Sequence, residues 1–500
     1  MPTRWETFPI QVTGGLRTDD PEIQLGINMP GAAIRLVNFE PSVRGGYRRI
    51  NGYSKFDSDT VTAGADHVLG VAYFYGTVVA CTDNGVIATS TGTGWTAQAT
   101  GRTHTNKYRF TKFNLSGTKK LCGVDGSNYP FVWDGSSITV INGTTDVQGA
   151  SHVVEFKDHV FYAKGSLVTF TVPFDETDFT VADGSGSFQV QEDVTGMFVF
   201  RQRLFIFTQN TIKVLDGSSS SDFQLTSVAE SIGCIASDTI VEVAGDVAFM
   251  AADGIRLLGA TDRDGDFSNL VASNQIQKVF EDFEQRYTTF QAIPIRGKQQ
   301  YRIFGYQESL DKALTEGFVG TQFEAQNPMS FQWAELKGFK VFSADSQYYE
   351  GTEFIVFVGN DGYVYQMDSG TNFDGTGITS SYWTPYLSFG DTTYLKTLYQ
   401  IHMFFLPEGR LEGTLSPTLC LNDPTKIQPP QIPISASGGT SLYGTGVYGT
   451  STFSDPPTSL IKRQLVGSCY NVSLQFEFLG DNAPFTLDTM FVEFRTNDKK

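Results

Sequence analysis

Along the middle of the chain, short apolar runs alternate with turn residues. Val71–Cys81 passes through Asp83-Asn84-Gly85 into Val86–Ser90. Leu121–Val124 turns at Asp125-Gly126 towards Phe131–Trp133, and Asp134-Gly135 leads on to Ile138–Ile141. Lys157-Asp158 separates Val153–Phe156 from Val160–Ala163, with Leu167–Val172 following. Arg201-Gln202-Arg203 separates Met197–Phe200 from Leu204–Phe207, with Thr211–Leu215 beyond. Thr239–Val243, Val247–Met250 and Ile255–Leu258 repeat the pattern, and so do Phe354–Val358 and Tyr363–Met367 around Asn360-Asp361-Gly362. Asn-Gly and Asp-Gly between apolar runs are strong hairpin signals. The blocks start roughly 40–50 residues apart, the spacing of four-stranded propeller blades. Five or six blades are expected, with 281–352 the hardest span to assign.

The ends read differently. Residues 1–60 hold short apolar pieces around Gly14-Gly15, Pro30-Gly31 and Gly45-Gly46, the pattern of an extended arm with one or two strands. Residues 381–500 carry alternating strands at Tyr394–Phe405, Ser468–Phe478 and Leu487–Phe494, as in a sandwich. One helix is expected near Gln275–Gln285, where Ile276, Val279, Phe280 and Phe283 fall on one face. The predicted fold is all-β: a β-propeller over 61–380 and a β-sandwich-like platform built by the arm 1–60 and the domain 381–500. The stretch 424–457, with Pro429-Pro430, a Gly/Tyr tract and Pro456-Pro457, reads as a surface loop or as an ordered loop at a subunit contact.

Composition agrees. The 500 residues include 51 Gly and 41 Phe, which suits many turns and Phe-filled cores. The net charge is −18, unevenly spread: residues 61–380 hold 21 basic and 37 acidic side chains, whereas 1–60 balance and 381–500 reach only −2. Basic residues do not cluster as tight duplex binding requires. No apolar stretch approaches the ~18 residues of a spanning helix, and Met1–Ile10 lacks the pattern of a signal peptide. Five scattered cysteines without a CxxC pair indicate buried free thiols rather than zinc or disulfides.

Candidate chemistry is sparse. No HExxH, P-loop, GxSxG or dinucleotide fingerprint is present, and no catalytic residue or cofactor is assigned. Asp262, Asp264 and Asp266 alternate as hard oxygen ligands for a cation would. However, Phe267 stands where a calcium loop needs Gly, and Ser273 where it needs Glu, so a solvated acidic turn is the simpler reading. Thr82-Asp83-Asn84-Gly85 with Trp95 faintly suggests the Asp-box of sialidase-type propellers, but the spacing to Trp95 is too long and the motif does not recur. Arg44-Gly45-Gly46-Tyr47-Arg48-Arg49 is the densest basic patch. Arg44, Arg48 and Arg49, with Tyr443 and Tyr448 of the Gly/Tyr tract, are the interface candidates.

The N-terminal stretch carries a resemblance. Gly14-Gly15-Leu16, Met29-Pro30-Gly31-Ala32-Ala33, Leu36-Val37-Asn38-Phe39-Glu40-Pro41-Ser42-Val43 and Gly45-Gly46-Tyr47-Arg48-Arg49-Ile50-Asn51-Gly52-Tyr53 resemble the opening of tail nozzle proteins of short-tailed bacteriophages, also called tail hub or packaged-DNA stabilisation proteins. Ser231–Cys234 through Gly254-Ile255-Arg256, and Asp361–Asp368 through Phe373-Asp374-Gly375 and Thr384-Pro385, are similar to their blades. The Tyr443-Gly to Tyr448-Gly tract also recurs in such proteins.

The resemblance implies a non-enzymatic virion protein of the phage tail, assembled in the host cytoplasm. Six copies would form a ring below the portal and the adaptor, or head-to-tail connector. The ring would retain the genome, pass it without sequence-specific binding, and offer docking surfaces to tail fibres or spikes. Two rivals stay open: a carbohydrate-active, sialidase-like propeller enzyme, and a tail fibre or receptor-binding module.

Overall fold

The structure, a computed structural model, describes residues 5–103, 106–259, 271–324, 330–436 and 460–497. It is all-β, with 49% strand against 9% helix, and its centre is a six-blade β-propeller arrangement. Four blades are four-stranded antiparallel meanders spanning 68–99, 109–140, 152–189 and 194–229. The fifth, 241–257, has three strands. The sixth takes three strands from 343–367, and the N-terminal strand Tyr53–Lys55 pairs with Val364–Met367 as the fourth. The arm thus closes the ring. Closure leaves few free strand edges.

The inner strand Val68–Phe74 is buried throughout, whereas others, such as Arg109–Phe113, are half-buried where they face the axis. Each gap between blades is its own apolar core. Phe74 and Val79 of the first blade meet Phe131 and Trp133 of the second, and Phe161 and Phe170 of the third meet Leu204 and Ile206 of the fourth. Two hairpins turn without glycine: Lys157-Asp158 and Arg201-Gln202 have φ of 51° and 62°, and 48° and 65°, the left-handed pairs that match strand twist.

The span 281–352 resolves unexpectedly. Thr289–Ile295, Gln300–Tyr306, Glu316–Gln322 and Phe331–Lys337 form a further meander. Its first strand stands in the ring, touching Val241–Val243 of the fifth blade and Ser343–Tyr349 of the sixth. Its last strand bridges in parallel to Arg35–Val37 and so opens a nine-stranded sheet, continued by 380–383, 472–478, 411–419 and 432–436. Residues 289–337, expected to belong to the propeller alone, therefore belong to both bodies. The sequence signal is weak because the meander lacks the Asn-Gly and Asp-Gly turns of its neighbours.

The platform is that sheet facing a seven-stranded one, which contains 39–41, 47–49, 485–496, 396–407 and 460–464, with 6–11 and 468–469 alongside. Both chain ends build it, as the sequence predicts. Ile401, Met403 and Phe405 pack between the sheets against Leu415, Leu474, Phe476 and Phe478. A bulge between Leu398 and Gln400 restores the inward phase of the strand Lys396–Pro407.

The expected helix is Gln277–Arg286, with Phe280 and Phe283 buried against Phe318 at 5.8 and 5.2 Å between rings. Asp19 of the arm accepts from the Gln277 and Lys278 N–H groups at 3.0 and 3.3 Å, capping its start. A second helix, Glu22–Asn28, lies in what the sequence pattern presents as an extended arm. Only Leu25 and Gly26 of it are buried, so it carries almost no apolar period.

Gly52 lies just before the closing strand. A Cβ there would meet the Asn372 carbonyl oxygen at 1.8 Å. Gly52→Ala is expected to destabilise the protein by about 3 kcal/mol or more through forced backbone movement. A thermal melt within a degree or two of wild type would show that the closing strand tolerates the shift.

Candidate functional site

Two constellations stand out: a seam between platform and propeller, and the propeller axis.

The seam gathers the motif residues of the arm. The Tyr47 hydroxyl accepts from the Gly15 N–H at 2.9 Å and donates to the Gly31 carbonyl at 3.1 Å, which Tyr382 also reaches at 3.0 Å. Gly45 and Gly46 form the turn before it, both with positive φ. A Cβ on Gly46 would lie 2.6 Å from the Leu487 oxygen.

The three arginine candidates have three different fates. Arg44 is exposed, on the rim of a cavity of about 630 Å³ shared with Lys298, Glu408 and Asp488. Arg48 is half-buried and donates to Glu40 at 3.0 Å, to Glu408 at 2.7 and 2.8 Å and to Asn51 at 3.0 Å. Arg49 is fully buried and donates to the carbonyls of Ile378 at 3.0 Å, Gly480 at 2.7 Å and Asn482. Burial pulls the Arg49 pKa down to about 10, with Asp481 opposing, so it stays charged at neutral pH. Of the three, only Arg44 is free to meet a partner.

Behind them lies a buried ion network. Glu40 accepts from Lys298 at 2.9 and 3.1 Å, from Arg302 at 2.9 Å and from Gln300 at 3.2 Å. Arg302 also donates to Asp368 at 2.8 and 3.2 Å, and Lys298 to Asp368 at 2.9 Å. Burial works against a charged Glu40, but Lys298 and Arg302 outweigh it and hold the carboxyl below the usual range. Asp368 is held low in the same way. The network joins the platform strand Phe39–Pro41, the ring meander and the sixth blade.

The axis holds a cavity of about 430 Å³, walled by inner strands from the whole ring. It is crossed near one end. Arg109 of the second blade forks onto Asp238, before the fifth blade, at 2.7 and 3.0 Å. Lys107 reaches Asp238 at 2.9 Å and Gln291 of the meander at 2.7 Å. His152 sits beside them between the Ser151 and Ser237 hydroxyls at 2.9 and 2.8 Å. Burial opposes the charge on Asp238, but Arg109 and Lys107 together hold it low. Burial, with Arg109 adding, pulls His152 down to about 3, so it is neutral. Further along, Lys112 pairs with Asp345 at 2.6 Å. These charges tie strands across the axis.

The remaining candidates place simply. Asp262, Asp264, Asp266, Tyr443 and Tyr448 lie outside the described residues, as does most of 424–457. Among the described residues, no group of His, Cys, Asp and Glu comes together to hold a metal, and no helix is long and apolar enough to cross a membrane. Cys81, Cys122, Cys234 and Cys469 are buried free thiols, and Cys420 is half-buried. Sequence reasoning missed the axial group, because Lys107, Arg109, His152 and Asp238 are far apart in the chain and only ring closure unites them.

No family model and no curated protein matches the chain. Among solved structures, a computationally designed protein aligns over 63% of this chain and 99% of its own, at 9% identity and a TM-score of 0.36. The extracellular domain of BT4673 from B. thetaiotaomicron aligns over 63% of this chain at 10% identity and a TM-score of 0.40, and the match spans 40% of that protein.

Two outcomes are expected. Arg49→Met strands three carbonyl oxygens that the guanidinium serves, and should lower stability by roughly 3 kcal/mol or more. Urea unfolding measures this, and a loss under about 1 kcal/mol would mean water replaces the guanidinium. Second, His152 refuses a proton that the unfolded chain accepts below its ordinary pKa of 6.5. Its contribution is complete above that pH and is lost as pH falls towards 3, by up to about 1.4 kcal/mol per pH unit. His152→Gln should flatten the acid-side decline of the urea midpoint between pH 6.5 and 4; an unchanged slope would exclude His152 as its source.

Proposed function

We propose that the chain is a tail nozzle protein of a short-tailed bacteriophage. Six copies form a ring that continues the DNA channel below the portal and adaptor, retain the packaged genome, and pass it during infection. Fibres or spikes dock on its outside. The observation that carries this reading is the position of the residues behind the resemblance. Gly15, Gly31, Glu40, Gly46, Tyr47, Arg48, Arg49 and Tyr53 all sit at the weld between platform and propeller or in the closing strand. A wall under internal pressure needs that joint to be rigid.

Two further features support it. The propeller axis is crossed by the Arg109–Asp238 and Lys107–Asp238 pairs, so in this reading DNA runs between subunits, past the propellers and not through them. The surface is also acidic where blades three and four lie. Residues 144–230 hold 12 acidic and 5 basic side chains. Loop acids are kept ionised by their own turns: Thr180 hydrogen bonds lower Asp178, and those of Ser219 and Ser218 lower Asp222. Six chains at −18 carry −108 in all, a wall along which phosphate slides and does not stick.

The carbohydrate-active reading would need a cluster of arginines around a substrate carboxylate, and among the described residues only Arg109 and Arg296 line the axial cavity. Electron microscopy of the purified protein and of the particle tests the proposal. A six-fold ring on a portal, its lumen lined by the acidic blade loops, is the expected result. An elongated trimer would favour the fibre reading, and a monomer or a basic lumen would overturn the nozzle.

A further inference from the structure

The axial group is unbalanced in charge. Lys107 and Arg109 share one carboxylate, Asp238; the Lys107 and Asp238 side chains are only 9% and 14% exposed, and that of Arg109 is half-buried at 28%. His152 beside them is neutral. The next charges along the cavity are already matched, Lys112 by Asp345 at 2.6 Å and Arg296 by Glu353 at 3.6 Å. Glu242, the other carboxylate on the wall, is exposed and makes no ion pair among the described residues. One positive charge, half-buried, is left over, inside a chain whose propeller block is −16. Buried charges are normally paired.

Donors are left over as well. Arg109 uses three of its five N–H groups, two on Asp238 and one on the Ser151 carbonyl at 3.2 Å. The Lys107 ammonium uses two of three, on Asp238 and Gln291. These cations line a cavity of about 430 Å³, which is ample for a tetrahedral oxyanion.

We propose that the propeller axis is a binding site for a small oxyanion, a phosphate or a carboxylate, held by Lys107 and Arg109. The anion supplies the missing negative charge and accepts the unused N–H groups. Asp238 fixes the two cations in place, and the neutral His152 with Ser237 borders the site without adding charge. The inference is independent of the nozzle reading, since it concerns one subunit's axis and not the ring.

The test is titration of the full-length protein with inorganic phosphate at constant ionic strength, with chloride as the reference. Calorimetry and thermal shift are the readouts. Wild type should bind saturably and melt higher in phosphate than in chloride. Lys107→Met should weaken binding at least about tenfold, as loss of a charge-assisted hydrogen bond does. Lys107→Arg should retain binding, and Lys426→Met on the platform should leave it unchanged. If Lys107→Met fails to fold, a phosphate-soaked crystal of wild type decides, by oxyanion density within hydrogen-bond distance of Lys107 Nζ. No saturable phosphate binding beyond chloride, undiminished binding in Lys107→Met, or an adventitious ion only, elsewhere on the surface, would overturn the proposal.

Discussion

The ion network of Glu40, Arg302, Asp368 and Lys298 is the constraint on which the architecture turns. Its four members come from three parts of the chain: Glu40 from the arm, Lys298 and Arg302 from the ring meander, and Asp368 from the end of the sixth blade. A buried pair of this kind is weak evidence for stability, because desolvation consumes most of the Coulomb gain. Its consequence is geometric. Removing any one partner strands a charge in the interior, so only one mutual placement of the three parts satisfies all of them. Apolar packing alone tolerates sliding; a fork of Arg302 onto two carboxylates does not. Arg48 extends the same network to Glu408, which fixes the platform hairpin as well.

Given that placement, the propeller can be closed by a strand from far away in sequence. Tyr53–Lys55 follows the Glu40 strand through a single hairpin partner, Tyr47–Arg49, so the network sets where the closing strand must land. The Tyr53 ring then stacks on Phe373 at 4.9 Å, and its hydroxyl donates to the Gly338 carbonyl at 3.1 Å. One short arm therefore does three things: it supplies the central strand of the nine-stranded sheet, supplies the acid at the centre of the joint, and completes the ring. The platform and propeller are a single mechanical unit for this reason. They share the meander 289–337, and neither closes without the arm.

The blades were legible because their turns announce themselves. Asp83-Asn84-Gly85, Asp134-Gly135 and Asp253-Gly254 punctuate apolar runs that the structure turns into strands. The arm and C-terminal domain were legible as one platform by composition and charge, and the helix by the phase of Ile276, Phe280 and Phe283. What was not legible depends on distance in sequence. The ring meander carries neither a blade's turn signals nor a sandwich's clear alternation, since strands such as Gln300–Tyr306 are buried on both faces. The basic patch at Arg44, Arg48 and Arg49 looked uniform, yet strand alternation and one tight turn separate an exposed arginine from a wholly buried one. The axial group could not be read at all, because pairing across the ring, as between Arg109 and Asp238, depends on how many blades lie between them.

Charge then divides along the same lines as the fold. The acids of the blade loops lie in tight turns, where Asp134, Asp178 and Asp222 accept from hydroxyl or N–H groups two to four residues away, which lowers their pKa values. They form a field that is fixed by local sequence and needs no partner. The basic residues are spent differently. Arg48, Arg49, Arg302, Lys107 and Arg109 are drawn inward, each onto carbonyls or carboxylates contributed by remote elements. The net charge of −18 is the excess of 54 acidic over 36 basic side chains. An appreciable share of the basic side chains works as internal ties, mostly with carboxylates drawn inward beside them, and the long flexible stems of Arg and Lys let them reach across joints that shorter acids cannot span. The excess of acids, with those of the blade loops held ionised by their own turns, is what leaves the exterior repulsive to polyanions.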